Sequence, residues 1–267
     1  MLKTLWPPAR MALLAAALTA GCASAPVLLD KRAIVDVPDI ELAISRANEV
    51  GAGSGQTPPS GTPWFVVHQG VSPAIVTAPH ATRPFREGAY RFSDGPGTAA
   101  MARALHTICG VTVIHTTFDS PSDPNFYDDN EFKATLSRLI ESVRPVVVLD
   151  IHASHPYRPY EVDVGTMNGA SLLGQRHLLI QLVAALREEG IGNVSHNWFA
   201  ASRNQTITKF ASARGVPSMQ LEFSTTRIDP RIDDGAAHRF SQALQGLAEV
   251  LGKLGACART NAKASSG

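Results

Sequence analysis

The chain is short of cysteine, aromatics and net charge, and each shortage closes off a class of protein. Three cysteines among 267 residues, with no CxxC and no Cys/His cluster, leave no place for a structural zinc on thiolates. Lys and Arg number 24 against 23 Asp and Glu, so a charge of +1 offers no bulk attraction to nucleic acid or an anionic membrane. Aromatics make up 6%, so the core must be built from aliphatic residues and alanine. There is no internal repeat. There is also no Gly-x-Ser-x-Gly elbow: Gly51-Ala-Gly-Ser-Gly55 has the wrong spacing and no strand before it, which argues against a serine hydrolase. What remains is ordinary globular composition, 44% hydrophobic and 18% charged, at the length of one large domain or two small ones.

The first residues follow the layout of an export signal. Lys3 and Arg10 precede an apolar run, Met11 to Ala20, of h-region length and too short to span a bilayer. Leu18-Thr19-Ala20-Gly21-Cys22 resembles the lipobox of bacterial lipoproteins, in which the cysteine carries the lipid. The expectation is a lipid anchor through Cys22 in the bacterial cell envelope, at the outer membrane facing the periplasm, with an ordinary cleaved signal as the alternative. Export implies an oxidising compartment. Cys109 and Cys257 are then left either to form one disulfide or to stay as two buried thiols.

Residues 1–21 read as signal peptide, 22–63 as a lipid-attached segment and linker, 64–255 as the catalytic domain and 256–267 as a tail. The linker is drawn at the Gly- and Pro-rich stretch 51–63, after a short helical piece. Beyond it, apolar runs alternate with amphipathic ones. Strand-like runs are Trp64–His68, Ala74–Ala78, Val111–Thr116, Val146–Ile151, Glu161–Thr166 and Met219–Phe223. Helix-like runs are Gly97–Ile108, Glu131–Val143, Leu172–Glu189, Gln205–Arg214 and Gly235–Leu254. Alternation of this kind predicts an α/β domain with a largely parallel sheet, whose ligands sit outside the carboxyl ends of the strands.

At those ends stand the chain's reactive groups. One run ends in His80, another in Asp150 and His152, and a third carries Glu222 among apolar neighbours. Two imidazoles and a carboxylate make a three-ligand catalytic zinc site, and Zn2+ brings the pKa of a water near 7. Glu222 fits the general base that takes the water proton. Asp150, two residues from His152 on the same strand face, is placed to orient a ligand or else to cap a loop. For the third ligand, Glu87 is the first choice and Asp94 its competitor.

These residues occur in order with others: Ala78-Pro-His-Ala-Thr-Arg83, Arg86-Glu-Gly88, Ser122-Asp-Pro-Asn125 with Asp128 and Lys133, Asp150-Ile-His-Ala-Ser154, and Gln220-Leu-Glu222. Together they resemble the N-formylglutamate amidohydrolase-like family, relatives of the zinc carboxypeptidases, over roughly residues 64 to 250. The resemblance implies a three-layer α/β/α sandwich with a largely parallel or mixed central sheet. It implies a zinc-dependent amidase for small acyl-amino acids or peptides, with His80, His152 and Glu87 on the metal and Glu222 as base. The carboxypeptidase relatives carry a Glu three residues after the first histidine, where this chain has Arg83.

An acyl-amino acid presents a carboxylate, which a guanidinium binds through two parallel hydrogen bonds. Arg203 and Arg83 are the residues taken for that clamp or for the oxyanion. Two rival readings share the fold: a ligand-binding lipoprotein without catalysis, and a zinc carboxypeptidase or cell-wall peptide amidase.

Overall fold

The computed structural model describes residues 33–257. The leader, Cys22 and the tail from residue 258 lie outside the described residues.

Helix α1 (Val37–Gly53) leads into strand β1 (Phe65–His68) and then β2 (Ser72–Ala78). A small hairpin, β3 (Phe85–Arg86) and β4 (Ala89–Tyr90), follows. Next come α2 (Pro96–Cys109), β5 (Val111–Thr116), α3 (Glu131–Val143), β6 (Val147–Ser154) and β7 (Val162–Gly165). The described residues close with α4 (Arg176–Glu188), β8 (Val194–His196), α5 (Ile207–Ser212), β9 (Ser218–Ser224), α6 (Thr225–Ile228) and α7 (Asp234–Lys253). Local chemistry sets several of these bounds. Pro96 starts α2 with its backbone already at a helical angle, and Gly110 ends it in the left-handed region at φ 71°. The side chains of Asn130 and Asp233 accept from the backbone N–H of Lys133 and Ala236 and so cap α3 and α7.

Seven strands form one mixed sheet in the order β1-β5-β2-β6-β9-β7-β8. β5, β2, β6 and β9 are parallel; β1 runs antiparallel to β5, and β7 antiparallel to β9. The central strands alternate between two cores. Val147, Leu149 and Ile151 of β6 and Met219, Leu221 and Phe223 of β9 join the core under α2, α4 and α7. Val148 packs on the other face with Phe132 and Leu136 of α3 and Phe210 of α5. A sheet with helices on both faces is the expected three-layer sandwich.

The period of two decides where the polar residues go. Asp150 and His152 of β6 and Gln220 and Glu222 of β9 fall on the α3–α5 face, while the intervening residues stay apolar.

One expectation changes. The main core takes in α1 and not only residues from 64 onward. Ala43 and Ala47 of α1 are fully buried in the main core, and the backbone N–H of Ile34 donates to Gln245 Oε1 of α7 at 2.9 Å. Gly53 passes so close to Thr117 that an added Cβ would lie 1.9 Å from its carbonyl oxygen. The following loop is also tied down: Gly55 N–H donates to Asp119 Oδ1 at 2.9 Å. Glycine here serves close approach rather than linker flexibility. Of the two open alternatives for the cysteines, the structure has the disulfide: Cys109 and Cys257 are bonded, joining the end of α2 to the turn after α7.

Candidate metal centre and active-site cleft

His80 sits just past β2, and the chain leaves it for a closed excursion through the β3–β4 hairpin. Arg86 pairs with Ala89, and Glu87 and Gly88 between them have φ 50° and 79°, a two-residue turn with both residues in the left-handed region. Pairing returns the chain to its start, where Asp94 N–H donates to the His80 carbonyl at 2.8 Å. The hairpin therefore sends Glu87 outward and brings Asp94 home.

The result is a compact group. Asp94 Oδ2 lies 2.7 Å from His152 Nδ1 and 3.6 Å from His80 Nδ1. Among the described residues, His80, Asp94 and His152 are the one His/Cys/Asp/Glu group able to offer three ligand atoms within 4.8 Å of one another. Each ring is held from behind. His80 Nε2 lies 2.7 Å from Asp123 Oδ1, and His152 Nε2 lies 2.9 Å from Asp150 Oδ2, both carboxylates being fully buried. Asp150 also accepts from the Thr77 hydroxyl on the next strand. Backing carboxylates of this kind fix the ring and make the front nitrogen a better ligand.

The electrostatics show how much negative charge converges here. Burial works to lower both imidazoles, but Asp123 and Asp94 outweigh it and push His80 up to about 9. Burial is likewise outweighed at His152, where Asp150 and Asp94 raise it well above its ordinary value. Burial pushes Asp94 upward, yet hydrogen bonds from His152 and His80 hold its carboxyl below the usual carboxylate range. Two imidazoles that share an ionised carboxylate and carry one more behind each ring are a donor set suited to a small divalent cation, so the residues present fit zinc.

Glu222 is the cross-strand neighbour of His152 on the same face. Gln220 Nε2 donates to its Oε1 at 2.8 Å. Burial pushes Glu222 up to about 7, opposed by the charge on His152. Such a carboxyl exchanges its proton near neutrality.

These groups line one cavity of about 810 Å³, together with Arg86, Arg91, Arg158 and Arg203. Its far wall is the loop after β8, which Asp163 fixes by accepting from Trp198 N–H at 3.0 Å and Phe199 N–H at 2.8 Å. Gly165 leaves room for that loop, since a Cβ there would lie 2.3 Å from the Phe199 carbonyl oxygen.

The residues expected from sequence thus separate. His80, His152, Glu222 and Arg203 meet in the cavity. Glu87 does not: its side chain is 57% exposed at the hairpin tip and pairs with Arg91 at 2.7 Å. Arg83 does not either. Its guanidinium makes two hydrogen bonds to Asp119, at 2.8 and 2.6 Å, and faces the Tyr90 ring instead of the cavity. Asp123 and Gln220 stand in motifs that carry the resemblance but received no role there, Arg86 stands in another beside His80, and Arg158 carries no local signal for the cavity. The Glu-Gly pair at 87–88 was the one available hint of a hairpin.

No protein-family model and no curated relative matches the chain. Solved structures do. The N-formylglutamate amidohydrolase of Ralstonia eutropha JMP134 superposes with a TM-score of 0.51 at 17% identity, covering 70% of this chain and 96% of that one. A bacteriophage poly-gamma-glutamate hydrolase gives 0.46 at 16% identity, over 73% and 93% of the two chains. An N-acetylmuramyl-L-alanine amidase of Mycobacterium smegmatis gives 0.40 at 15%, over 69% and 99%. The three-layer sandwich is thus similar in fold to an N-formylglutamate amidohydrolase.

Proposed function

We propose that this chain is a metal-dependent hydrolase that cleaves an amide bond in an acyl-amino acid or peptide. One observation carries the reading: two imidazoles and Asp94 face one point, backed by Asp123 and Asp150, with Glu222 beside them in the same cavity and bonded to none of the three. His80, Asp94 and His152 would hold the ion, with Asp94 replacing Glu87. A bound zinc ion supplies Lewis acidity and makes water a nucleophile near neutral pH. Glu222 takes the proton released as water adds to the carbonyl and hands it to the leaving amine. The Gln220 amide holds one of the Glu222 oxygens in place. Arg203 meets no carboxylate of the described residues and is free to bind the carboxylate of a substrate.

The test is hydrolysis of a panel of N-acyl amino acids and short peptides by zinc-loaded protein. Activity that disappears with a chelator and returns with zinc supports the reading. No turnover across the panel, with the ion bound, points instead to a binding protein.

Envelope anchoring through Cys22 is part of the same proposal. Among the described residues, no helix is long and apolar enough to cross a membrane. On the lipobox reading, a Cys22→Ala variant should leave the membrane fraction and keep its hydrolase activity, whereas a variant still pelleting with washed membranes counts against lipidation.

A further inference from the structure

The cleft is large, and acids and arginines both line it. Pockets of ~300–1,000 Å³ take drug-sized ligands, so the 810 Å³ here has room for several residues, not one acyl-amino acid. It also extends to both sides of the metal group. The sheet order places β2, with the His80 loop and hairpin behind it, on one side of β6 and β9, and β7–β8 on the other. Arg86, Arg91 and Phe92 line the cavity from the first side, and Trp198 and Arg203 from the second.

The cavity's acids are all engaged: Asp94 and Asp123 by the histidines, Glu222 by Gln220. Two of its four arginines are not. Arg86 and Arg91 have Asp123 and Glu87, but Arg158 only covers the Phe199 ring at 5.0 Å, and Arg203 has no carboxylate partner among the described residues. Guanidinium groups left without partners on a cleft wall favour carboxylates. At the mouth, Phe92 is 98% exposed and Trp198 55% exposed. Both side chains line the cavity, one from each side, where a ligand lying along it would meet them.

We propose that the cleft takes an acidic peptide several residues long, lying across the carboxyl ends of β2, β6 and β9, with one amide over the metal group and residues held on both sides of it. This rests on the hydrolase reading for the identity of the scissile bond, but not for binding. Arg158 and Arg203 take side-chain carboxylates on the β8 side, and Phe92 and Trp198 cover the backbone at the two ends.

The experiment is calorimetric binding to the full-length, zinc-loaded Glu222→Gln protein, which cannot turn the probes over. The probes are acetyl-Glu-Ala-Glu-Ala amide, acetyl-Lys-Ala-Lys-Ala amide and acetyl-glutamate. The acidic tetrapeptide should bind at least tenfold more tightly than either other probe, and its affinity should fall with added salt. Arg158→Gln/Arg203→Gln, changes at exposed positions, should cost it at least tenfold with the melting temperature unchanged, and Phe92→Ala should weaken it as well. Equal binding of acetyl-glutamate, equal or tighter binding of the lysine peptide, or no binding of any probe overturns the proposal. Turnover by the wild-type protein is read separately. Tight acidic-peptide binding without hydrolysis defeats the hydrolase reading and keeps the ligand class; indiscriminate hydrolysis of neutral and basic peptides does the reverse.

Discussion

At the scale of single residues, the site turns on which carboxylate does what. Glu222 lies on a strand whose other face is apolar, and burial lifts its pKa to about 7. If it moves the proton, Glu222→Gln keeps shape and the Gln220 contact but loses the base, at a typical cost of ~10²–10⁴ in rate. Zinc content and melting temperature should stay at wild type; a fully active variant removes Glu222 from the chemistry. Glu87→Gln should leave both zinc and rate unchanged, because its carboxylate meets only Arg91 at the surface. Sequence could place His80, His152 and Glu222, since each ends or sits in an apolar run whose period is visible. It could not choose between Glu87 and Asp94, because that depends on a hairpin too short to leave a periodic signal. The Arg83 assignment failed for a related reason: an arginine beside a catalytic histidine looks the same whether it faces substrate or, as here, Asp119.

At the scale of elements, the parallel core was legible and its rim was not. The runs Val111–Thr116 and Glu131–Val143 coincide with β5 and α3, because β5 is an unbroken buried run after Gly110 and α3 buries one clear face behind the capping Asn130. β8, at three residues, has too little pattern to read. Yet the loop it feeds forms the far wall of the cleft. That loop depends on Asp163, whose two oxygens accept from Ser195 Oγ, Trp198 N–H and Phe199 N–H. Asp163→Asn leaves one oxygen for this set. The expected outcome is a rise in KM larger than the fall in kcat and a loss of about 1–3 kcal/mol of stability, the usual cost of unsatisfied buried partners. Steady-state kinetics with a denaturant titration checks both; an unchanged KM would show that the wall does not contact substrate.

At the scale of the molecule, the composition promised a core of aliphatics and alanine, and α1 shows why the domain boundary drawn from glycine and proline was misplaced. Alanines 43 and 47 let α1 pack tightly, so a helix that looks weakly hydrophobic belongs to the main core. The Cys109–Cys257 bond closes 148 residues of sequence. By the chain-entropy account a loop of that size is worth about 5 kcal/mol, so Cys257→Ala should lower the midpoint of unfolding steeply. Equal midpoints with and without reductant would show the bond absent.

Acid should also weaken the fold. Burial pushes His115 down to about 3 and His68 down to about 4, and the two rings face each other with Nε2 atoms 3.2 Å apart. Their folded pKa values lie below the unfolded value near 6.5, so the unfolded chain binds protons first. Their contribution is intact above pH 6.5 and is lost as pH falls from there toward 3. For His115 the slope is about 1.4 kcal/mol per pH unit. His115→Asn should flatten the fall in melting temperature between pH 6.5 and 4 relative to wild type; parallel curves would refute the assignment.

The central claim is that His80, Asp94 and His152 share one catalytic ion, and elemental analysis of the purified, zinc-equilibrated protein and its Asp94→Asn variant tests it most directly. The account predicts about one zinc per wild-type chain and a large loss of it in Asp94→Asn, with amide hydrolysis falling in step. A wild-type chain without stoichiometric zinc, or an Asp94→Asn protein that keeps a full equivalent, contradicts it.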